Sequence, residues 1–259
     1  MDKHSTVEVL GCSGSIGVPR QGTTSFLIDH DILIDAGTGL CELPFERLEP
    51  IEHVLITHAH LDHICGLPFL VDTVGVVRSA PLKVYAIAPT LEALKTHIFN
   101  GHIWPDFSRI PDEVNPVMQF VEIQPGDELV LGQRRLTTVE VPHTVPAVAV
   151  FLHTPTGGWC FSGDTHQTEP LYSLLNSNKK VDYFFLEAAF PDKERWLADL
   201  AQHLCPSLVF EELEKLEDDC EVWITHLKPR EADLIEQELK QYQGSRPLRI
   251  LSAGMVFNI

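Results

Sequence analysis

Apolar residues fall along this chain in two alternating rhythms. Short β-branched or aromatic runs closed by Gly, Pro or Asp predict strands at Val7–Gly11, Ser25–Asp29, Ile32–Asp35, His53–Thr57 and Lys83–Ala86. A second series follows at Phe120–Ile123, Glu128–Leu131, Leu136–Val141, Val148–His153, Trp159–Ser162, Tyr183–Glu187, Val222–Thr225 and Arg249–Leu251. Apolar positions that return every three or four residues predict helices over Leu67–Val77, Pro89–Phe99, Glu169–Asn176, Lys193–Gln202, Pro206–Glu217 and Glu231–Gln241. Two strand-rich halves, each with its own helices, predict an α/β fold of two sheets packed together with helices outside. Pro105–Pro116 is the long irregular insert, and no low-complexity linker divides the chain. Its 259 residues therefore read as one domain, 1–259.

Composition narrows the partners. With 44% hydrophobic residues the chain can build a core without disulfide staples. Its 37 acidic and 19 basic residues give a net charge of −18, spread along the sequence, which disfavours a nucleic-acid partner. The polar start Met1–Thr6 runs straight into a predicted strand, and no apolar run approaches the roughly 18 residues of a membrane span. Cys12, Cys41, Cys65, Cys160, Cys205 and Cys220 are scattered without a C-x-x-C pair, and read as reduced, mostly buried thiols of a cytoplasmic protein.

The histidines carry the chemistry. HVLITHAHLDH (His53–His63) sets an apolar strand against His58, His60, Asp62 and His63. In an extended segment His58 and His60 share a face and can grip one ion, while Asp62 and His63, past the strand end, reach a second. A solvated polar loop is the plain alternative, but four ligand-type residues in six positions after a buried strand favour metal. Three more strands end in ligand types: VEVPH at His143, WCFSGDT at Asp164 and VWITHLKP at His226. A carboxylate such as Asp164 can bridge two divalent ions, because its two oxygens each offer a lone pair.

HAHLDH at 58–63, followed in order by His143, Asp164 and His226, resembles the metallo-β-lactamase superfamily across nearly the whole chain. The resemblance implies an αββα sandwich of two mixed sheets flanked by helices, with a two-metal site along one edge. By position, His58, His60 and His143 would hold one ion, Asp62, His63 and His226 the other, and Asp164 would bridge them. Zinc suits the ligand set, as do manganese and iron.

Other segments point to a branch. GCSGSIG at 11–17, HIFNGHIWPDF at 97–107, HTVPAV at 143–148, LEAAFP at 186–191 and HLCP at 203–206 resemble the class II cyclic nucleotide phosphodiesterases. That implies hydrolysis of cAMP or cGMP to the 5′-nucleotide, with Asp62, Glu187 and His203 as candidate catalytic groups. Glu187 would orient His203, which would protonate the leaving oxygen. Cys205 stands where many members carry Thr, which puts a hydroxyl role in placing His203 in question. Asn100 and Trp104 are candidate floors of a purine pocket, or else a helix end and a core residue. The insert Pro105–Pro116 is placed for a homodimer contact or a pocket lid. The tRNA 3′-processing ribonucleases share the ligands and the Glu and His pair, but carry a basic arm, whereas Thr144–Gly163 holds no Lys or Arg. A non-catalytic binding module would normally have lost ligands. His4, His30, His53, His153 and His166 fall outside the constellation, and the acidic run Glu211–Glu221 reads as a solvated helix face. GCSGSIG, lacking a Lys, reads as backbone closing tightly under the metal site rather than as a P-loop.

Overall fold

A computed structural model describes residues 4–75, 77–177, 180–217, 219–244 and 246–259. The first sheet contains β1 (Thr6–Gly11), β2 (Ser25–Ile28), β3 (Ile32–Ile34), β4 (His53–Leu55), β5 (Leu82–Ala86) and β6 (Met118–Glu122). The second contains β7 (Glu128–Leu131), β8 (Arg134–Val141), β9 (Ala147–His153), β10 (Gly158–Phe161), β11 (Tyr183–Glu187), β12 (Glu221–Thr225) and β13 (Leu248–Ile250). β14 (Val256–Asn258) returns to the free edge of the first sheet, giving the orders β14-β1-β2-β3-β4-β5-β6 and β13-β12-β11-β10-β9-β8-β7. Each sheet is mixed. β3 to β6 run parallel beside antiparallel β14, β1 and β2, and β10 to β13 run parallel beside antiparallel β7, β8 and β9.

Helices cover both outer faces. On the first sheet lie α1 (Phe45–Leu48), α2 (Leu61–Ile64), α3 (Leu67–Gly75) and α4 (Ala88–Ala93), and on the second α5 (Glu169–Ser177), α6 (Arg195–Ala201), α7 (Pro206–Leu213) and α8 (Ala232–Leu239). Strand alternation splits the apolar residues into layers. Phe26 and Ile28 point between the sheets with Trp159, Phe161 and Phe185, while Leu27 points outward to Leu67 and Leu70 of α3. This is why the strands read as unbroken apolar runs: both of their faces are buried. The Phe26 ring lies 5.6 Å from Trp159, 4.9 Å from Phe161 and 5.5 Å from Phe185. Each large apolar side chain buried in this way contributes roughly 1.5–3 kcal/mol.

Some boundaries differ from the sequence pattern. β14 is unanticipated, since Phe257 is its one buried residue and a three-residue strand shows too little alternation. The Pro89–Phe99 helix breaks after α4 into a π turn, Leu94–Ile98. The Lys193–Gln202 helix opens as a 3-10 turn, Asp192–Glu194, and the Pro206–Glu217 helix stops at Leu213. The Leu67–Val77 helix stops at Gly75, and Val76 lies outside the described residues, as does Asp218 of the acidic run and the Met1–Lys3 start. The acidic run is not wholly solvated. Glu212 is fully buried, accepting a 3.0 Å bond from the Thr168 amide and pairing with Lys215 at 2.8 Å.

Candidate metal centre

The chain repeatedly brings a polar residue to the same end of the sandwich. Asp35 follows β3, His58 to His63 follow β4, His143 follows β8, Asp164 follows β10, Glu187 ends β11 and His226 follows β12. The carboxyl ends of parallel strands are where open α/β sheets gather ligands, because chain crossovers leave a crevice there. One detail of the sequence expectation changes: the strand ends at Leu55, so His58 and His60 stand on irregular backbone, and Asp62 and His63 on the short helix α2.

His58, His60, His143 and Asp164 offer ligand atoms all within 4.8 Å of one another, and so do Asp62, His63, Asp164 and His226. Asp164 belongs to both groups. Its Oδ2 lies 3.6 Å from His58 Nε2, 3.9 Å from His143 Nε2 and 3.3 Å from His226 Nε2, while Oδ1 lies 3.3 Å from His63 Nε2. His143 Nε2 and His60 Nδ1 converge to 3.1 Å, and Asp62 Oδ2 lies 3.7 Å from His226 Nε2. The seven residues picked out in the sequence thus stand together.

Their far sides are held. Thr57 Oγ1 lies 3.0 Å from His58 Nδ1, the Gln202 carbonyl 3.0 Å from His143 Nδ1, and Thr24 Oγ1 3.3 Å from His226 Nδ1. Asp35 Oδ2 lies 2.7 Å from His63 Nδ1 and also accepts from the Thr57 hydroxyl at 2.8 Å. Such outer contacts fix ring orientation and aim the other nitrogen inward. Asp35, Gln202 and His226 all have positive φ, at 56°, 55° and 66°, so backbone strain is concentrated here. Asp35 was not singled out by sequence reasoning, although ILID shows the same form as the ligand segments, an apolar run ending in an acid.

Gly14 carries the close approach expected of GCSGSIG. A Cβ there would stand 2.3 Å from the His226 carbonyl oxygen and 2.9 Å from its ring Cδ2. The loop also accepts a 2.5 Å bond from Lys228 Nζ at the Gly14 carbonyl.

The inward atoms fit cations. His58 Nε2, His63 Nε2, His226 Nε2 and Asp164 Oδ1 are buried with no hydrogen-bond partner among the described residues, an arrangement that polar groups withdrawn from water accept when a ligand takes their lone pairs. Burial drives the imidazoles of His58 and His226 well below their ordinary pKa, leaving them neutral donors. Burial also disfavours charge on His63 and Asp164, but at His63 the Asp164 and Asp35 carboxylates outweigh it, and at Asp164 the imidazoles packed around it, His226 first and then His63, favour the carboxylate form. His63 is raised well above its ordinary value and Asp164 held well below its own. Imidazole and carboxylate together suit divalent first-row metals.

Glu187 and His203 border the cluster. Glu187 Oε1 lies 2.7 Å from His203 Nδ1 and accepts 2.9 Å from the Thr165 amide, and Oε2 accepts from the Leu204 amide at 3.3 Å. Burial would lower the His203 pKa, but the Glu187 carboxylate holds it above its ordinary value. The His203 ring stacks 5.3 Å from that of His226. Cys205 bonds at 3.4 Å to Ser207 Oγ, so the described hydrogen bonds that place His203 are the one to Glu187 and the one from its amide to the Ala198 carbonyl.

Other candidates lie apart. Asn100 closes the turn after the π segment, accepting from the amides of His102 and Ile103 at 2.9 Å and donating to the Thr96 carbonyl at 2.9 Å. Trp104 packs 5.4 Å from Phe69 against the outer core of the first sheet. No described contact joins either to the metal-cluster histidines. His166 pairs with Asp199 at 3.1 Å and His53 with the Tyr85 hydroxyl at 3.0 Å. All six cysteines are free thiols, and no helix among the described residues is long and apolar enough to cross a membrane.

Comparison with known proteins agrees with this arrangement. The sequence profile of the beta-lactamase superfamily domain matches residues 30–233. Ribonuclease Z of Methanopyrus kandleri is 29% identical over 161 residues, 60% of this chain and 52% of that protein. A 3′,5′-cyclic-nucleotide phosphodiesterase of Aliivibrio fischeri is 26% identical over 227 residues, 76% of this chain and 66% of that protein. The chain therefore spans between about half and two thirds of the length of these relatives. Unliganded yeast PDE1 superposes with a TM-score of 0.82 at 18% identity, covering 99% of both chains, a likeness of fold.

Proposed function

Given that the chain belongs to the metallo-β-lactamase superfamily, we propose that it is a two-metal phosphodiesterase hydrolysing 3′,5′-cyclic nucleotides to 5′-nucleotides. The buried Glu187–His203 pair, 2.7 Å apart and bordering Asp164 of the metal cluster, supports phosphodiester hydrolysis, and the observation that carries the choice of a cyclic nucleotide is the short connection from His143 to Asp164 without Lys or Arg. His58, His60 and His143 would hold one ion, Asp62, His63 and His226 the other, with Asp164 shared. When bound, such ions make a nucleophile of water near neutral pH and neutralise charge on the phosphoryl oxygens. Zinc is the proposed metal, with manganese and iron compatible.

The protein's own groups do the rest. Glu187 anchors His203 in one tautomer and keeps it protonated to higher pH, so that Nε2 can give a proton to the departing ribose oxygen. Thr57, Thr24, Asp35 and the Gln202 carbonyl hold four imidazoles in place, which spares reorganisation during turnover. The −18 net charge repels polyanions, while two divalent ions set against Asp62 and Asp164 would leave about two positive charges facing the phosphodiester.

A tRNA-processing role is the second reading, favoured by the Methanopyrus relative. The hairpin between His143 and Asp164 speaks against it: β9 and β10 are joined by Thr154–Gly157 alone, and Thr144–Gly163 contains no Lys or Arg to replace counterions of RNA. The complete ligand set speaks against a non-catalytic binding module. The deciding experiment offers metal-loaded protein cAMP, cGMP, an aryl phosphodiester and pre-tRNA. Cyclic nucleotide turnover to the 5′-monophosphate supports the proposal, whereas pre-tRNA cleavage with cyclic nucleotides left intact overturns it.

A further inference from the structure

A cavity of about 390 Å³ opens directly beside the metal ligand His143. Its volume lies within the range of small-molecule sites, about 300–1,000 Å³. Ile87, Pro142, Val145 and Pro146 line it, and Glu140 stands with them. The fold explains the placement. Ile87 follows β5, Glu140 is the penultimate residue of β8, and 142–146 connect β8 to β9, all at the sheet edge that carries the metal cluster. The Val148 amide donates to the Thr57 carbonyl at 3.2 Å, tying this connection to the residue before His58.

Two features of the cavity select a ligand. Its walls set Ile87, Val145, Pro142 and Pro146, rigid apolar surfaces on which a planar ring loses little entropy to bind, beside the polar groups of Thr144 and His143. Its one carboxylate, Glu140, is exposed and has no hydrogen-bond or ion-pair partner among the described residues. In strand register Glu140 faces Val148, and it projects to the side opposite Val141, whose side chain enters the core under α5 to α8. Glu140 precedes His143 by three positions, so their Cα atoms are at most about 10 Å apart. A nucleotide with its phosphodiester at the histidines carries its base one ribose away, within that reach.

We propose that this cavity is the nucleobase subsite and that Glu140 makes it selective for guanine. The inference rests on the phosphodiesterase reading of the site and extends it to the choice of substrate. Guanine presents N1–H and the N2 amine side by side, two donors matched to the two oxygens of a carboxylate. Adenine presents a single N6 amine beside N1, an acceptor that a carboxylate repels. A charge-assisted pair is stronger than a neutral hydrogen bond, and a site built for two donors rejects a base lacking them. No pairing of Glu140 among the described residues has to be broken first.

The test compares kcat/KM for cGMP, cyclic IMP and cAMP in metal-loaded wild type, E140Q and E140K, with calorimetric titration of the products 5′-GMP and 5′-AMP as a readout independent of turnover. The wild type is expected to prefer cGMP over cAMP by at least about tenfold, with cyclic IMP, which keeps N1–H but lacks the N2 amine, between them. In E140Q and E140K the cGMP-to-cAMP ratio and the 5′-GMP-to-5′-AMP affinity ratio both fall towards one. Glu140 is exposed, so unfolding midpoints near wild type are expected to show that the variants fold. Cyclic nucleotide turnover with equal use of the two purines, or with a ratio that E140Q leaves intact, overturns the guanine subsite while the phosphodiesterase reading stands. Protein that cleaves the aryl diester but neither turns over nor binds any purine nucleotide overturns both.

Discussion

The carboxylate of Asp35 lies 2.7 Å from Nδ1 of His63, and neither side chain has any exposure to solvent. Asp35 also accepts from the Thr57 amide and hydroxyl, each at 2.8 Å. It therefore fixes the His63 ring with Nε2 towards Asp164 and, through Thr57, reaches the neighbouring His58. Replacing Asp35 with Asn preserves size but removes the charge. The expected result is a roughly 10–100-fold loss of affinity at the site formed by Asp62, His63 and His226. Competition with a chelating indicator measures it, and unchanged affinities in Asp35→Asn would show that the contact is only structural.

The layers of this fold were legible in the sequence because a strand buried on both faces must be apolar throughout, as in FLI at 26–28, while helices keep their period. The ligand cluster was legible because polar residues directly after such strands stand out. Asp35 shares that form but reads equally as a turn residue ending a strand, and its partner His63 lies 28 positions away. Helix α2 is a single turn, too short for periodicity, so the sequence places Asp62 and His63 only as past the strand end and carries the extended reading on through His58 and His60. The cavity beside His143 joins Ile87 to a segment more than fifty residues later, a proximity set by packing of the two sheets.

Asp164 is shared by both ligand groups, so it should matter to both ions. Asp164→Ala is expected to lower the metal content at both positions, whereas His143→Ala should deplete one. Elemental analysis after dialysis distinguishes them. Equal, single-ion losses in the two variants would contradict a bridging carboxylate.

For His203, the leaving group is the probe. A ribose alkoxide needs a proton and p-nitrophenolate does not, so His203→Ala should slow cyclic nucleotide turnover about 10²–10⁴-fold while affecting an aryl diester far less. Burial lowers the imidazole pKa and Glu187 more than offsets it, raising the folded value above 6.5. The protonated acid thus survives as pH rises past 6.5 and is lost through the raised pKa. Glu187→Gln should move this alkaline limb of the rate profile to lower pH. Equal losses on both substrates, with an unmoved limb, would leave His203 without an acid role.

Arg134 of β8 reaches across to the turn between β2 and β3, donating to Asp29 at 3.0 Å and Asp31 at 2.7 Å, and so staples the two sheets. The three side chains are mostly buried, and Arg134→Leu should cost roughly 1.5–3 kcal/mol per charged hydrogen-bond partnership lost. Burial alone would raise the Asp31 pKa, but the guanidinium holds it below its ordinary 3.8. This stabilisation is complete above 3.8 and lost as pH falls through the lower folded value. Denaturant melts of wild type and variant should therefore differ at neutral pH and converge in acid. A difference that persists below that pH would assign the effect to packing.

Gly14 offers the sharpest steric test of the centre. His226 has a left-handed backbone at φ 66°, its amide donates to the Cys12 carbonyl at 2.8 Å, and the Gly14 amide donates to Leu227 at 3.1 Å, so the 12–14 loop clasps the ligand from behind. An added Cβ at Gly14 would stand 2.3 Å from the His226 carbonyl and 2.9 Å from its ring, closer than atoms tolerate, so loop or ligand must shift. Displacement of one ligand by about 1 Å is enough to cost on the order of 10²-fold in activity. Gly14→Ala should therefore weaken the ion held with His226 while the ion held by His58, His60 and His143 remains. Lys228→Met, which removes the 2.5 Å bond to Gly14 without a clash, should weaken it in the same direction by less. Titrating both variants with zinc measures the two affinities separately, and a Gly14→Ala protein with two wild-type affinities would mean that the loop yields and His226 stays where it is.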